Sequence, residues 1–153
     1  MLTLRRRSSI DAATVVRSAG RPVLLATLDV PFSEEATVFA VDSAVESGQP
    51  LLLVNAAEVL PTVYSLLGYG YVEREELQDA LRAPAELAHS LAVRVERLRV
   101  CSPHPVDALI EVVAERDPAV LVFGPDRSQI SSRRYRKAER AVRERTSCLV
   151  WVP

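Results

Sequence analysis

Short apolar runs alternate with amphipathic segments along most of this chain. Runs of this kind, rich in Val and Leu and bounded by turn residues, are typical of buried strands in a parallel sheet. The predicted strands are residues 22–28, 51–56, 95–101, 119–123 and 148–152. Charged residues interrupt the third run, which places that strand near an edge of the sheet.

The first helix is predicted from its end signals as well as from its apolar spacing. Ser33 is a suitable N-cap, Glu34 and Glu35 suit the positive end of the helix dipole, and Gly48 suits the C-terminal stop. Apolar residues between these signals recur on one side of the helix. A helix over residues 34–47 therefore connects the first two strands.

The segments between the other predicted strands differ in how clearly their sequences indicate a loop or a helix. Residues 58–72 contain proline, glycine and three tyrosines and predict an irregular loop. A helical pattern follows from Glu73 to Leu91, and Pro84 is expected to kink it or divide it in two. Residues 106–115 predict an amphipathic helix, and residues 131–145 predict a polar one.

This order of elements predicts an α/β fold. Alternating strands and helices form an open, doubly wound, five-stranded parallel sheet with helices on both faces. Right-handed connections favour the strand order 3-2-1-4-5, with the strand at 119–123 in the interior. The chain then reverses direction between the first and fourth strands, and open α/β sheets bind ligands at such a switch point. Asp29 and Gly124 follow these two strands, so the topology nominates a site beside them.

Length and composition predict one domain, residues 21–153, preceded by a flexible tail, residues 1–20. The chain has 153 residues, of which 48% are hydrophobic and 25% charged, as in ordinary globular domains. Arg5, Arg6 and Arg7 are not followed by an apolar stretch long enough for a signal peptide. No apolar run approaches the roughly 20 residues that a bilayer requires. A cytoplasmic protein without membrane contact is expected.

Charge and cysteine content exclude several functions. The net charge of −1 gives no overall attraction to nucleic acid. Cys101 and Cys148 have no metal-ligand spacing, so two buried thiols in a reducing compartment and no metal site are expected. The nucleophile elbow, the HExxH motif and the GxxxxGK[ST] phosphate loop are all absent. An enzyme is therefore the least favoured class.

In the C-terminal half, Pro103-His104-Pro105 precedes a predicted helix, and Val122-Phe123-Gly124 closes a predicted strand. With these segments, residues 22–152 resemble the universal stress protein family, which usually has Gly-Asp-Pro at the first segment and opens its nucleotide motif at the second. Asp29 matches an acid that contacts the adenosine end of ATP in nucleotide-binding members. Ala56 falls where a valine backbone often meets the adenine.

The family's phosphate motif is largely lost in this chain. The motif is Gly, two residues, Gly, nine residues, then Gly followed by Ser or Thr, and its later positions here are Arg127, Lys137 and Ala138. A one-residue deletion instead aligns Arg127 and Ser128 with the Arg-Ser that often follows the second glycine. Side chains at these positions keep phosphates away from backbone N–H groups. No cofactor is therefore expected.

Two functions remain open after this comparison. The first is a non-catalytic regulatory or stress-response protein that acts as a homodimer. The predicted interface is the apolar edge strand that carries Leu149 and Trp151, through which the family often dimerises. The second is a nucleotide sensor that binds ATP or AMP at the switch point, with arginines replacing the lost glycines. Its ligand residues would be Asp29, Ala56, Gly124, Arg127, Ser128 and Lys137.

Overall fold

The computed structural model describes residues 21–60 and 74–153. The predicted tail at residues 1–20 and most of the predicted loop at residues 58–72 lie outside the described residues. The described part contains five strands and four helices, which alternate as predicted.

The strands form one parallel sheet in the order β3-β2-β1-β4-β5. Their bounds are β1 Val23–Thr27, β2 Leu51–Glu58, β3 Val95–Ser102, β4 Val120–Phe123 and β5 Leu149–Trp151. The predicted order and the interior position of β4 are confirmed, as is the place of β3 at an edge. β5 is shorter than the five-residue run that predicted it.

The helices cover both faces of the sheet, as predicted. Their bounds are α1 Glu34–Ser47, α2 Glu75–Ser90, α3 Pro105–Arg116 and α4 Ser132–Arg145. α1 and α2 pack on one face and α3 and α4 on the other, which gives two separate apolar clusters. β1, β2 and β4 lie between these clusters, so their side chains are buried on both sides.

The predicted end signals of α1 are confirmed. The Ser33 hydroxyl accepts a hydrogen bond from the Ala36 N–H at 3.2 Å, which satisfies one donor of the first turn. Gly48 follows the helix in the left-handed conformation, with φ of 67°, and its N–H donates to carbonyls of the last turn.

Pro84 does not divide α2. The structure has a single helix from Glu75 to Ser90, with Pro84 inside it. The side chain of Pro84 is buried together with Leu81 and Ala85. Tertiary packing of this apolar side therefore offsets the hydrogen bond that the proline removes.

The prediction of two buried thiols is wrong. Cys101 is exposed and Cys148 is partly buried. Cys101 lies in edge strand β3, and Cys148 immediately precedes edge strand β5, so each thiol has fewer neighbours than an interior strand provides. Burial raises the pKa of Cys148, which keeps that thiol protonated and poorly reactive at neutral pH.

Candidate functional site

The loop after β1 is held in place by a side chain of β2. Asp29 has a φ of 58°, a left-handed conformation that aspartate adopts more readily than most residues. Its N–H donates to Asn55 Oδ1 at 2.7 Å, and Asn55 is only 5% exposed. The hydroxyl of Thr27, also buried, donates to the Val30 carbonyl at 2.7 Å. These bonds fix the backbone from which Asp29 projects.

Gly124 directly follows β4 and packs against the start of α1. Its N–H donates to the Ala26 carbonyl at 2.9 Å, and its own carbonyl accepts from the Ser33 N–H at 2.8 Å. A Cβ at this position would lie 2.2 Å from the Ala36 Cβ. The missing side chain therefore allows α1 to approach the sheet, and this packing requires glycine whether or not a phosphate binds nearby.

Two hydrogen-bond donors of the loop after Gly124 are satisfied by a carboxylate of the same loop. Asp126 Oδ1 accepts from the Ser128 N–H at 3.0 Å and from the Ser128 hydroxyl at 2.8 Å. The Asp126 N–H donates to the Pro31 carbonyl at 2.8 Å, which ties the loop to the one after β1. A carboxylate of the chain itself thus occupies donors that a phosphate-binding loop would offer to its ligand.

Arg127 is engaged with an aromatic ring of α4. Its guanidinium carbon lies 4.4 Å from the centroid of the Tyr135 ring, a cation–π geometry. Tyr135 is 2% exposed and also contacts Phe123, with ring centroids 5.7 Å apart. The tyrosine side chain thus fills space directly beneath the loop that carries Arg127. Sequence reasoning missed Tyr135, because a lone aromatic residue in a polar helix gives no indication of this contact.

Two cavities lie at this end of the sheet, and of the predicted ligand residues only Arg127 lines either of them. One, of about 300 Å³, is lined by Asn55, Phe32, Leu81 and the arginines of β3. A second, of about 450 Å³, is lined by Arg127 together with three carboxylates. Those carboxylates belong to Glu34, Glu35 and Asp126. Their negative charge opposes the binding of a phosphate beside Arg127.

The other two predicted ligand residues lie apart from this loop. Ala56 is fully buried in β2, within the apolar cluster beneath α3 and α4. Lys137 lies on the exposed side of α4, next to the buried Ala138. The neighbouring arginines are also exposed; Arg143 pairs with Glu139 at 3.2 Å. These arginines thus form a solvated helix face.

A buried hydroxyl group without a partner distinguishes this site. Tyr135 Oη has no hydrogen-bond partner among the described residues, and burial raises the pKa of this hydroxyl. An unsatisfied buried polar group costs about 1–3 kcal/mol. We therefore expect Tyr135→Phe to raise the free energy of unfolding by about 1 kcal/mol, measured by urea denaturation.

A second substitution separates the effect of the Tyr135 hydroxyl on stability from the effect of its ring. Tyr135→Leu removes both, and the loss of the contacts with Arg127 and Phe123 should destabilise the protein by about 2 kcal/mol. A Tyr135→Phe variant that is less stable than the parent would instead indicate that the hydroxyl has a partner.

The structure is an open α/β domain with a switch point between β1 and β4. Open sheets of this type bind ligands beside such a point. The model of the universal stress protein family matches residues 20–152. The chain therefore belongs to the universal stress protein family. Its phosphate loop departs from the family motif at the positions already described. Among curated proteins, none matches this sequence significantly.

Several solved structures have a similar fold. A universal stress protein in complex with cAMP is 20% identical, with a TM-score of 0.58, and the match covers 87% of this chain and 95% of that one. One from Archaeoglobus fulgidus in complex with dAMP is 17% identical, with a TM-score of 0.61 and coverage of 86% and 96%. One from Arabidopsis thaliana with AMP bound is 13% identical, with a TM-score of 0.54 and coverage of 86% and 90%.

Two features are absent from the part of the chain that the structure describes. No helix there is long and apolar enough to cross a membrane. Residues 21–60 and 74–153 also contain no cluster of three or more His, Cys, Asp or Glu side chains that could hold a metal ion.

Proposed function

We propose that this chain is a non-catalytic, regulatory or stress-response member of its family, which acts through protein contacts as a homodimer. The observation that carries this proposal is the bonding of Ser128 to Asp126, because two donors of the loop after Gly124 are already satisfied within the chain. Gly124 supports it, since helix packing accounts for the one glycine of the motif that remains.

The surface that supports dimerisation is edge strand β5. It pairs with β4 on one side only, and Leu149 is 70% exposed. An apolar edge strand of this type favours pairing with another chain. Trp151, the predicted anchor, already stacks on Phe39 of its own chain, with ring centroids 4.0 Å apart. Leu149 is therefore the better candidate for the centre of the interface.

A second function is favoured by the similar structures that contain cAMP, dAMP and AMP. In that case an adenine nucleotide would bind at the switch point beside Asp29, whose backbone is already fixed by Asn55. Arg127 would have to leave the Tyr135 ring in order to contact a phosphate.

Nucleotide titration tests the two functions against each other. We expect no low-micromolar binding of ATP or AMP, with or without Mg²⁺, in calorimetry at physiological salt. Such affinity needs about 8 kcal/mol, whereas one charge-assisted hydrogen bond at Asp29 supplies about 1.5–3 kcal/mol. Nucleotide should also be absent from the extract of the denatured protein.

The outcome that favours a nucleotide sensor is equally specific. It is a low-micromolar dissociation constant that is lost in Asp29→Ala. If arginines hold the phosphates, this binding should weaken strongly at high salt, because exposed charge contacts are screened. Asp126→Ala provides a further comparison: it releases the donors of Ser128, and a gain in AMP affinity would indicate that the carboxylate competes with phosphate.

A further inference from the structure

A groove with an apolar floor runs along α1 beside the end of β5. Its volume is about 780 Å³, and its floor is formed by the rings of Phe39 and Trp151, which are nearly parallel at 3°. Val38 on its wall is 47% exposed. Exposed apolar surface with a polar rim is characteristic of a docking site for another segment of chain.

The rim of this groove is acidic. Residues spaced four apart form adjacent ridges on a helix, and α1 presents two such ridges to the groove. The first ridge contains Glu34, Val38, Asp42 and Glu46. The second ridge contains Glu35, Phe39 and Ser43. α1 has no basic residue, and within the described residues none of its four carboxylates has an ion-pair partner. A cationic occupant would relieve the repulsion between Asp42 and Glu46.

We propose that residues 1–20 of the same chain bind in this groove. They contain four arginines and one acidic residue, so their charge is opposite to that of the rim. Leu4 directly precedes Arg5, Arg6 and Arg7, and Ile10 follows Arg7 by three positions. Apolar side chains beside a basic cluster match an apolar floor beside acidic walls.

The length of the segment permits this contact. Arg21 leaves the domain at the amino-terminal end of the sheet, where it pairs with Asp117 at 3.6 Å. α1 spans about 21 Å, and the chain between Arg7 and Arg21 reaches about 45 Å when extended. Attachment to the domain also gives the segment an effective concentration near the groove on the order of millimolar. Modest intrinsic affinity is then enough for high occupancy.

The basic face of α4 in a second copy is a less suitable occupant. Three apolar residues of α4, Tyr135, Ala138 and Val142, are buried in its own domain, and the fourth, Ala141, is small and partly buried. The exposed side therefore brings charge but no apolar group for the floor between Phe39 and Trp151.

Trp151 reports on the groove directly, because it is the only tryptophan of the chain. In the full chain, we expect the triple variant Arg5→Glu, Arg6→Glu, Arg7→Glu to shift Trp151 emission to longer wavelength and to increase its quenching by acrylamide. A synthetic peptide of residues 1–20 added to this variant should restore the parental emission. A peptide with the three charges reversed should bind at least about tenfold more weakly, since three surface ion pairs are lost.

Two further variants make the result specific for charge. Replacement of the three arginines by lysine should leave the emission unchanged. The double change Asp42→Lys, Glu46→Lys should restore the parental emission in the chain that carries the three glutamates. Emission that is the same in the parent and in the triple glutamate variant would overturn the proposal. In a Leu149→Asp background, which removes the proposed β5 dimer, emission that depends on protein concentration would also overturn it, because a second copy would then cover the groove.

Discussion

Gly124→Ala should lower the free energy of unfolding by about 3 kcal/mol, near the upper end of the usual cost of overpacking. The new methyl group would meet the Ala36 Cβ at 2.2 Å and Leu25 Cδ1 at 3.3 Å. The Leu25 atom can rotate away, but the Ala36 Cβ is attached directly to the backbone of α1. Relief therefore requires α1 to move, against the hydrogen bond between the Ser33 N–H and the Gly124 carbonyl.

Denaturation by urea and by heat measures this loss, which corresponds to a fall in Tm of roughly 6–12 °C for a domain of this size. Ala36→Gly removes the opposing methyl group and should cost about 1 kcal/mol alone. If the clash is the cause, the double variant Gly124→Ala, Ala36→Gly should be more stable than Gly124→Ala.

Gly48→Ala is the matched control for this cycle. Gly48 has a φ of 67° and no atom within 4 Å of the position that its Cβ would take. Its substitution should cost about 1–2 kcal/mol through backbone strain alone, with no recovery from Ala36→Gly. Equal coupling of both glycines to Ala36 would contradict the proposed role of Gly124.

The fold was predictable because its signals are local. Consecutive apolar residues in β1, β2 and β4 indicate strands that are buried on both faces. Ser33 and Gly48 mark the two ends of α1. Once the alternation is recognised, the handedness of the connections leaves few strand orders. Pro84 left open whether the helix is kinked or divided, because its effect on α2 depends on tertiary packing, which no local pattern reveals.

The candidate site was predictable in position but not in bonding. The topology places the loops of Asp29 and Gly124 at the same edge of the sheet, and the hydrogen bond from Asp126 to Pro31 confirms that the two loops meet. The sequence does not show that Gly124 is needed for packing, because that need arises from the close approach of α1 to this position. Likewise, Asn55 is a polar residue in an otherwise apolar strand, and no local pattern shows that it accepts a hydrogen bond from the Asp29 N–H, 26 positions earlier.

The same limitation applies to Trp151. A large aromatic residue in an apolar edge strand predicts an interface, but its stacking partner, Phe39, lies on a helix more than 100 positions earlier. Substitution of Trp151 would therefore disturb its own domain as well as any dimer. Leu149 offers a cleaner test because its side chain makes little contact within the chain and is 70% exposed.

Leu149→Asp should convert the proposed homodimer to a monomer. β5 has only three residues, so backbone pairing with a second copy supplies few hydrogen bonds, and burial of Leu149 must contribute much of the affinity. Antiparallel pairing of two copies would bring two new carboxylates into one interface. Like charges placed together there cost several kcal/mol, which predicts a loss of affinity of at least about 100-fold.

Light scattering coupled to size-exclusion chromatography measures this change, and urea denaturation verifies that the monomer remains folded. The exposed position predicts a change in unfolding free energy within about 1 kcal/mol, the span of intrinsic strand preferences. Val45→Asp is the matched control, since Val45 is 45% exposed but lies on α1 instead of the sheet edge, and it should remain dimeric. A parent protein that is monomeric at micromolar concentration would contradict dimerisation itself. Equal dissociation of the Leu149 and Val45 variants would instead indicate that β5 is not the dimer interface, because the effect would then depend on the added charge and not on its position.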